Sequence, residues 1–145
     1  MPYWQHYGHL VWGTKNRELL IDEQIAEVIA RSVRSTCSDH RAILHATGIM
    51  PDHIHLAESI ASSLAISEFV RYAKGSSSFD LNKINRIGRH ARFGWQAEYG
   101  LISFGERSLA AVIAYVTNQA EHHATNRVWP NFETLESQSP SADRR

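Results

Sequence analysis

The chain has 145 residues, 43% of them hydrophobic and 21% charged, with 15 basic against 15 acidic side chains and a formal net charge of zero. That length supports one domain with its own core, and the balance excludes a disordered chain and a simple polycationic nucleic-acid binder. No apolar run approaches the ~18 residues of a membrane span, the start Met1-Pro2-Tyr3-Trp4-Gln5-His6 lacks the basic and apolar regions of a signal peptide, and Cys37 as sole cysteine excludes an intrachain disulfide, so a cytoplasmic location is expected.

In chain order, Tyr7 to Thr14 predicts a first strand, rich in aromatic and β-branched types, and the polar Lys15-Asn16-Arg17 a loop. Asp22 is placed to cap a helix whose early turns carry Glu23 and Glu27. Ile25, Val28, Ile29, Ser32 and Val33 give that helix its apolar stripe, and Cys37 is expected to pack nearby as a small apolar side chain. Arg41 to Ile49 predicts a second strand. Met50-Pro51-Asp52 predicts a turn, because proline fixes φ and breaks the ladder, and His53 to Ile60 a third strand in a hairpin with the second. Ser62 or Ser63 is expected to cap the next helix, with Leu64, Ile66, Phe69, Val70 and Ala73 buried. Gly75-Ser76-Ser77-Ser78 would ordinarily stop a helix, but Phe79, Leu81 and Ile84 keep the apolar period, so the helix is predicted to run through. Gly88 to Arg92 reads as a basic loop, Gly94 to Phe104 as a strand, and Ser108 as the start of a last helix carried by Ala111, Val112, Ala114, Tyr115 and Val116 towards Asn126. From Trp129 the sequence turns Pro-, Ser- and acid-rich and reads as a flexible tail, so residues 1–128 form the domain and 129–145 the tail. The order β-α-β-β-α-β-α predicts an α+β fold, a ferredoxin-like split β-α-β sheet with the Tyr115 helix appended.

Two short segments carry chemistry. In His53-Ile54-His55, alternation along a strand puts both imidazoles on one face, where they can hold one divalent metal. In Tyr115-Val116-Thr117-Asn118-Gln119, spacing i, i+4 puts the phenol and the amide on one helix face. Together they point to phosphodiester chemistry with a covalent tyrosine intermediate. Each alone has a plainer reading, polar residues on a sheet and a core aromatic. His122 and His123 read equally as extra ligands or helix-end histidines and are left out. His6, His9, His40, His45 and His90 read as structural or solvent-facing, and Trp12, Trp95 and Trp129 as core or interface rather than base-stacking platforms. Between Arg71 and Arg92 the basic residues Arg71, Lys74, Lys83, Arg86, Arg89 and Arg92 face a single acid, Asp80. A neutral chain can therefore present a local basic face to phosphates, the alternative being a solvated helix face.

Five segments in order resemble the single-tyrosine HUH transposases of small bacterial insertion sequences, which include the REP-associated tyrosine transposases. They are His-Leu-Val-Trp-Gly-Thr-Lys-Asn-Arg at 9–17, Met-Pro-Asp-His-Ile-His-Leu at 50–56, Ala-Lys-Gly-Ser-Ser-Ser at 73–78, Gly-Trp-Gln-Ala-Glu-Tyr-Gly at 94–100 and Tyr-Val-Thr-Asn-Gln-Ala-Glu-His-His at 115–123. The resemblance runs from Tyr7 to His123. It implies a metal-dependent transposase that cleaves and rejoins single-stranded DNA through a 5′-phosphotyrosine link, in excision and insertion of an insertion sequence. Tyr115 would be the nucleophile, and His53, His55 and Gln119 the ligands of a divalent metal. Nitrogen and oxygen donors suit several divalent ions, whereas structural zinc favours thiolates; the resemblance selects Mg²⁺ or Mn²⁺. It also implies a homodimer, in which the tyrosine helix of one subunit can complete the site of the other, and DNA with hairpin ends as partner. Lys15, Arg17, Arg71, Lys74, Arg86, Arg89 and Arg92 are the candidate phosphate contacts, and no membrane partner is expected. One departure stands out. Ala57-Glu58 follows Leu56 where the family continues with apolar residues, and Glu58, an odd number of residues from both histidines, is expected on the opposite face and is not counted as a ligand. Two alternatives remain open, a domesticated REP-associated nicking enzyme and a catalytically inactive hairpin-binding dimer.

Overall fold

The computed structural model describes residues 6–84 and 92–119. Arg86, Arg89, His122, His123, the expected run of the last helix to Asn126 and the tail from Trp129 lie outside the described residues. Within them the order is β1 (Tyr7–Gly13), α1 (Glu23–Asp39), β2 (Ile43–Met50), β3 (His53–Ser59), α2 (Ile66–Lys83), β4 (Gly100–Phe104) and α3 (Leu109–Thr117). The strands form one antiparallel sheet in the order β2-β3-β1-β4. This is the split β-α-β arrangement with a third helix added.

Strand alternation assigns the two faces. Leu10 and Trp12 of β1 and Ile54 and Leu56 of β3 point into a core shared with Ile25, Ile29 and Val33 of α1 and Phe69, Val70, Ala73 and Leu81 of α2. The alternate residues point the other way, where Ala57 packs with Val112, Tyr115 and Val116 of α3. A bulge between Leu44 and Ala46 resets β2 so that Gly48 lies opposite His55.

Asp22 caps α1 as its type predicts, its Oδ1 accepting from the Ile25 amide at 2.8 Å. Helix α2 passes through Gly75 to Ser78 without a break. The small residues are used there: the Ser76 hydroxyl meets those of Ser32 and Thr36 on α1 at 3.1 and 3.0 Å, and the Ser77 hydroxyl donates to the Ala73 carbonyl and accepts from the Trp95 indole.

Two expectations are corrected. Neither Ser62 nor Ser63 caps α2; the cap position is Ala65, which has no side-chain oxygen. The serines sit instead in a turn that takes the chain off β3, closed by the Leu64 amide on the Ala61 carbonyl. The strand expected from Gly94 begins at Gly100. Its first half is drawn away from the sheet's ladder: Trp95 makes an isolated bridge to Thr14, and Lys74 Nζ donates to the carbonyls of Gln96 and Glu98 at 2.8 and 2.9 Å. Among the described residues no helix is long and apolar enough to cross a membrane.

Candidate active site

The site is the face of the sheet that α3 covers. His53 and His55 both point there, 5% and 0% exposed, with ring centroids 5.1 Å apart and planes at 69°. Each ring is held at Nδ1. Asp52 Oδ1 lies 2.7 Å from His53 Nδ1. Arg17 Nη2 is 3.4 Å from the same nitrogen and 3.3 Å from Asp52 Oδ2. A carboxylate only accepts and a guanidinium only donates, so both cannot use one nitrogen. The shorter contact decides: His53 Nδ1 carries the proton and Arg17 pairs with Asp52, and in the neutral ring Nε2 then has the lone pair. His55 Nδ1 lies 2.8 Å from His9 Nε2.

Tyr115 reaches this face from α3, fully buried, its ring edge-on to His9 and His55 at centroid distances of 6.1 and 6.2 Å. Gln119 follows one turn later, 1% exposed. Its Nε2 donates to the Tyr115 carbonyl at 2.9 Å, and its amide oxygen is the atom of a type that binds a cation. The approach depends on Gly48. A Cβ there would fall inside contact distance of the Val116 carbonyl oxygen and 2.9 Å from Gln119 Cγ, so any larger residue opposite His55 would push the end of α3 off the sheet. Tyr115, Gln119, His53 and His55 of one chain therefore share one side of one sheet.

The donors fit a divalent ion: two imidazole Nε2 atoms and an amide oxygen, too few for a closed cage, so that places remain for a phosphate oxygen and water. Among the described residues no group of three or more His, Cys, Asp and Glu is arranged to hold a metal, so a metal here would need a donor of another type, such as the Gln119 amide oxygen. Cys37 is no competitor. It is buried on the helix-packed side of the sheet, where desolvation, helped by the Glu58 charge, pushes its thiol up to about 12.

Glu58 faces that same opposite side, as its odd spacing requires. It is fully buried beside Gly8, with Oε1 3.5 Å from His6 Nε2. Burial raises its pKa, while the neighbouring His6 and the Ile60 backbone pull the other way.

The basic candidates divide. Lys15 and Arg17 lie on the turn after β1, and Arg17 touches the site. Arg71 and Lys74 are on α2, across the sheet. Arg71 lies over the Tyr72 ring at 4.9 Å. Lys74 holds two carbonyls of the segment before β4, and burial lowers its pKa to about 8 despite the raising effect of Glu98. Arg92 is exposed.

His9 and Asp52 are the residues that sequence reasoning missed. His9 reads in the sequence as structural or solvent-facing, yet it is fully buried, against His55. Its signal was available: β1 and β3 are neighbours in a split β-α-β sheet, so alternate β1 side chains line the His53–His55 row. In the sequence, Asp52 reads only as a turn residue.

Comparison with known proteins bears on the family and the fold. The family described as IS200-like transposase matches residues 2–119. The chain is 25% identical over 114 residues to the ISDra2 transposase TnpA of Deinococcus radiodurans, covering 77% of this chain and 81% of that protein. Its fold superposes with a TM-score of 0.65 on a crystal structure from Deinococcus radiodurans R1 described as a transposase, at 24% identity over 82% of this chain and 95% of that one. A REP-associated tyrosine transposase bound to a REP hairpin matches with a TM-score of 0.64 at 11% identity, covering 85% of this chain and 74% of that one.

Proposed function

We infer the chemistry from one premise: this chain belongs to the IS200-like transposase family, and is a transposase. The proposed reaction is cleavage and rejoining of single-stranded DNA through a 5′-phosphotyrosine link, in excision and insertion of an insertion sequence. The observation that carries it is the Tyr115 ring lying against His55, with His53 and Gln119 on the same side of the sheet.

The Tyr115 hydroxyl attacks the scissile phosphorus in line. The Oη–P bond forms, the P–O3′ bond breaks, and the phenolic proton is balanced by the one the departing 3′-oxygen gains. Because one phosphodiester replaces another, a second 3′-hydroxyl can reverse the step and join strands without ATP. A free phenol has a pKa of about 10 and is a weak nucleophile at neutral pH, so the reaction needs positive charge near the phosphate. A divalent ion, Mg²⁺ or Mn²⁺, held by His53, His55 and Gln119 would supply it, polarising the phosphate and offsetting charge in the transition state. Asp52 and His9 hold the two imidazoles from behind, and α3 shields the Tyr115 ring from solvent.

Lys15 and Arg17 are the phosphate contacts nearest this chemistry. Arg71 and Arg92, both exposed, are further candidate phosphate contacts, as Arg86 and Arg89 are from the sequence alone, whereas the Lys74 ammonium is taken up by the carbonyls of Gln96 and Glu98. The partner is single-stranded DNA with hairpin ends, a reading supported by the fold shared with a hairpin-bound transposase. The working unit is a homodimer, and a monomeric mass in light scattering would count against it.

An end-labelled single-stranded oligonucleotide carrying an element end, incubated with Mg²⁺, tests the reading. The wild type forms a covalent protein–DNA adduct. Tyr115→Phe forms none but still binds DNA, and His53→Ala loses cleavage together with metal affinity. An adduct surviving in Tyr115→Phe would remove Tyr115 as nucleophile. Binding without any adduct in the wild type would leave the inactive hairpin-binding dimer. Adduct formation without a matching hairpin end flanking the gene would favour the domesticated REP-associated enzyme.

A further inference from the structure

We propose that His9 is a positioning residue for the metal ligand His55: it accepts the Nδ1 proton of His55 and so fixes the tautomer that presents Nε2 to the ion. The inference rests on the reading of His55 as a metal ligand.

The register of β1 against β3 pairs His9 with Ala57 and Val11 with His55, which makes His9 and His55 diagonal neighbours on one face. Both are fully buried. Their rings lie nearly parallel, 25° apart with centroids 5.0 Å apart, and His9 Nε2 is 2.8 Å from His55 Nδ1. Two imidazole nitrogens at that distance share one proton, and two arrangements satisfy it. If His55 donates, its Nε2 has a lone pair and can bind a cation. If His9 donates, the His55 proton sits on Nε2 and blocks the ligand atom. A neutral metal-binding His55 therefore requires the first arrangement, with the remaining His9 proton on its own Nδ1.

His53 shows the same device built differently. Its Nδ1 meets the Asp52 carboxylate, which is partly solvent-exposed and paired with Arg17. His55 is deeper, where a second carboxylate would carry a costly buried charge. A neutral imidazole gives an acceptor without one, and its ring also packs against the edge of Tyr115. Removing that acceptor removes the contact that selects the Nδ1 tautomer and lets the proton move to Nε2.

Titration with Mn²⁺ alone, followed by the electron paramagnetic resonance signal of the free ion, tests this on the full chain. The variants are His9→Leu, which keeps bulk without an acceptor, and His9→Gln, whose amide oxygen can stand in for Nε2. His9→Leu is expected to weaken Mn²⁺ binding about tenfold or more, and His9→Gln to recover most of the loss. In the metal-free wild type, ring-nitrogen NMR is expected to find the His55 proton on Nδ1. Wild-type binding that His53→Ala weakens while His9→Leu leaves it unchanged would overturn the role of His9 and spare the metal site. So would His9→Gln binding no better than His9→Leu, or a His55 proton found on Nε2, a result that needs no variant to fold. Binding indifferent to His53→Ala would remove the metal site and this inference with it.

Discussion

The two faces of the sheet are made by alternate residues of the same strands and are built for different ends. On the side of α1 and α2, β1 and β3 contribute Leu10, Trp12, Ile54 and Leu56 to a broad apolar core. On the side of α3, the residues in between include His9, His53 and His55 beside Val11 and Ala57, covered by α3, which among the described residues spans Leu109–Thr117. Burying polar rings contributes less to stability than burying leucines, because each must keep a hydrogen-bond partner. One face supplies stability, and the rigidity it gives β1 and β3 fixes the imidazoles on the other. Glu58 is the exception that sharpens the contrast, a carboxylate on the stabilising face where chemistry has no use for it.

Three substitutions test that division, taken from the largest effect on folding to the smallest. Leu56→Ala, on the core face next to His55, should cost about 2–5 kcal/mol in denaturant unfolding, while the folded fraction still forms adduct. A folded variant without adduct would mean that the faces are not separable. Gly48→Ala sits on the site face and drives a methyl group into the Val116 carbonyl. It should cost about 1–3 kcal/mol and reduce adduct formation by more than its unfolded fraction explains, because Tyr115 and Gln119 leave the histidines. Wild-type adduct yield would show that α3 need not rest on Gly48.

Glu58→Gln should be the mildest and should stabilise. Folding raises the Glu58 pKa through burial, so its contribution is fully present below the ordinary carboxylate pKa and is lost as pH rises through the raised folded value. The variant should therefore melt above the wild type at neutral and alkaline pH, with the gain vanishing as the medium becomes acid. A gain that grows towards acid pH would mean that the His6 pairing outweighs burial.

Much of this was legible in the sequence because the signals are local. Alternation in His53-Ile54-His55 gives a shared face whatever the strand pairs with. Of Phe79, Leu81 and Ile84, which carry the apolar period past Gly75 to Ser78, Leu81 is buried while Phe79 and Ile84 are exposed, and the helix runs through because packing against α1 outweighs the poor helix propensity of glycine and serine. What escaped is non-local. The burial of His9 depends on β1 lying beside β3 and on α3 covering that side. The loss of the first half of the last strand depends on the reach of Lys74 from α2. The failed Ser62 and Ser63 caps reflect a competing use of the same residue type, since serine serves a turn as readily as a helix end. The positive φ of Asn16 and Arg17, 59° and 54°, which bends the chain so that Arg17 can meet Asp52, has no pattern that marks it in advance.

The central claim is that the phenol of Tyr115 becomes joined to DNA beside the His53–His55 pair. Mass spectrometry of the nuclease-trimmed, protease-digested adduct tests it most directly. The account predicts a nucleotide on the peptide containing Tyr115, attached through a 5′-phosphate to the ring oxygen. The same modification on another tyrosine, on a serine, or through a 3′-phosphate would contradict it.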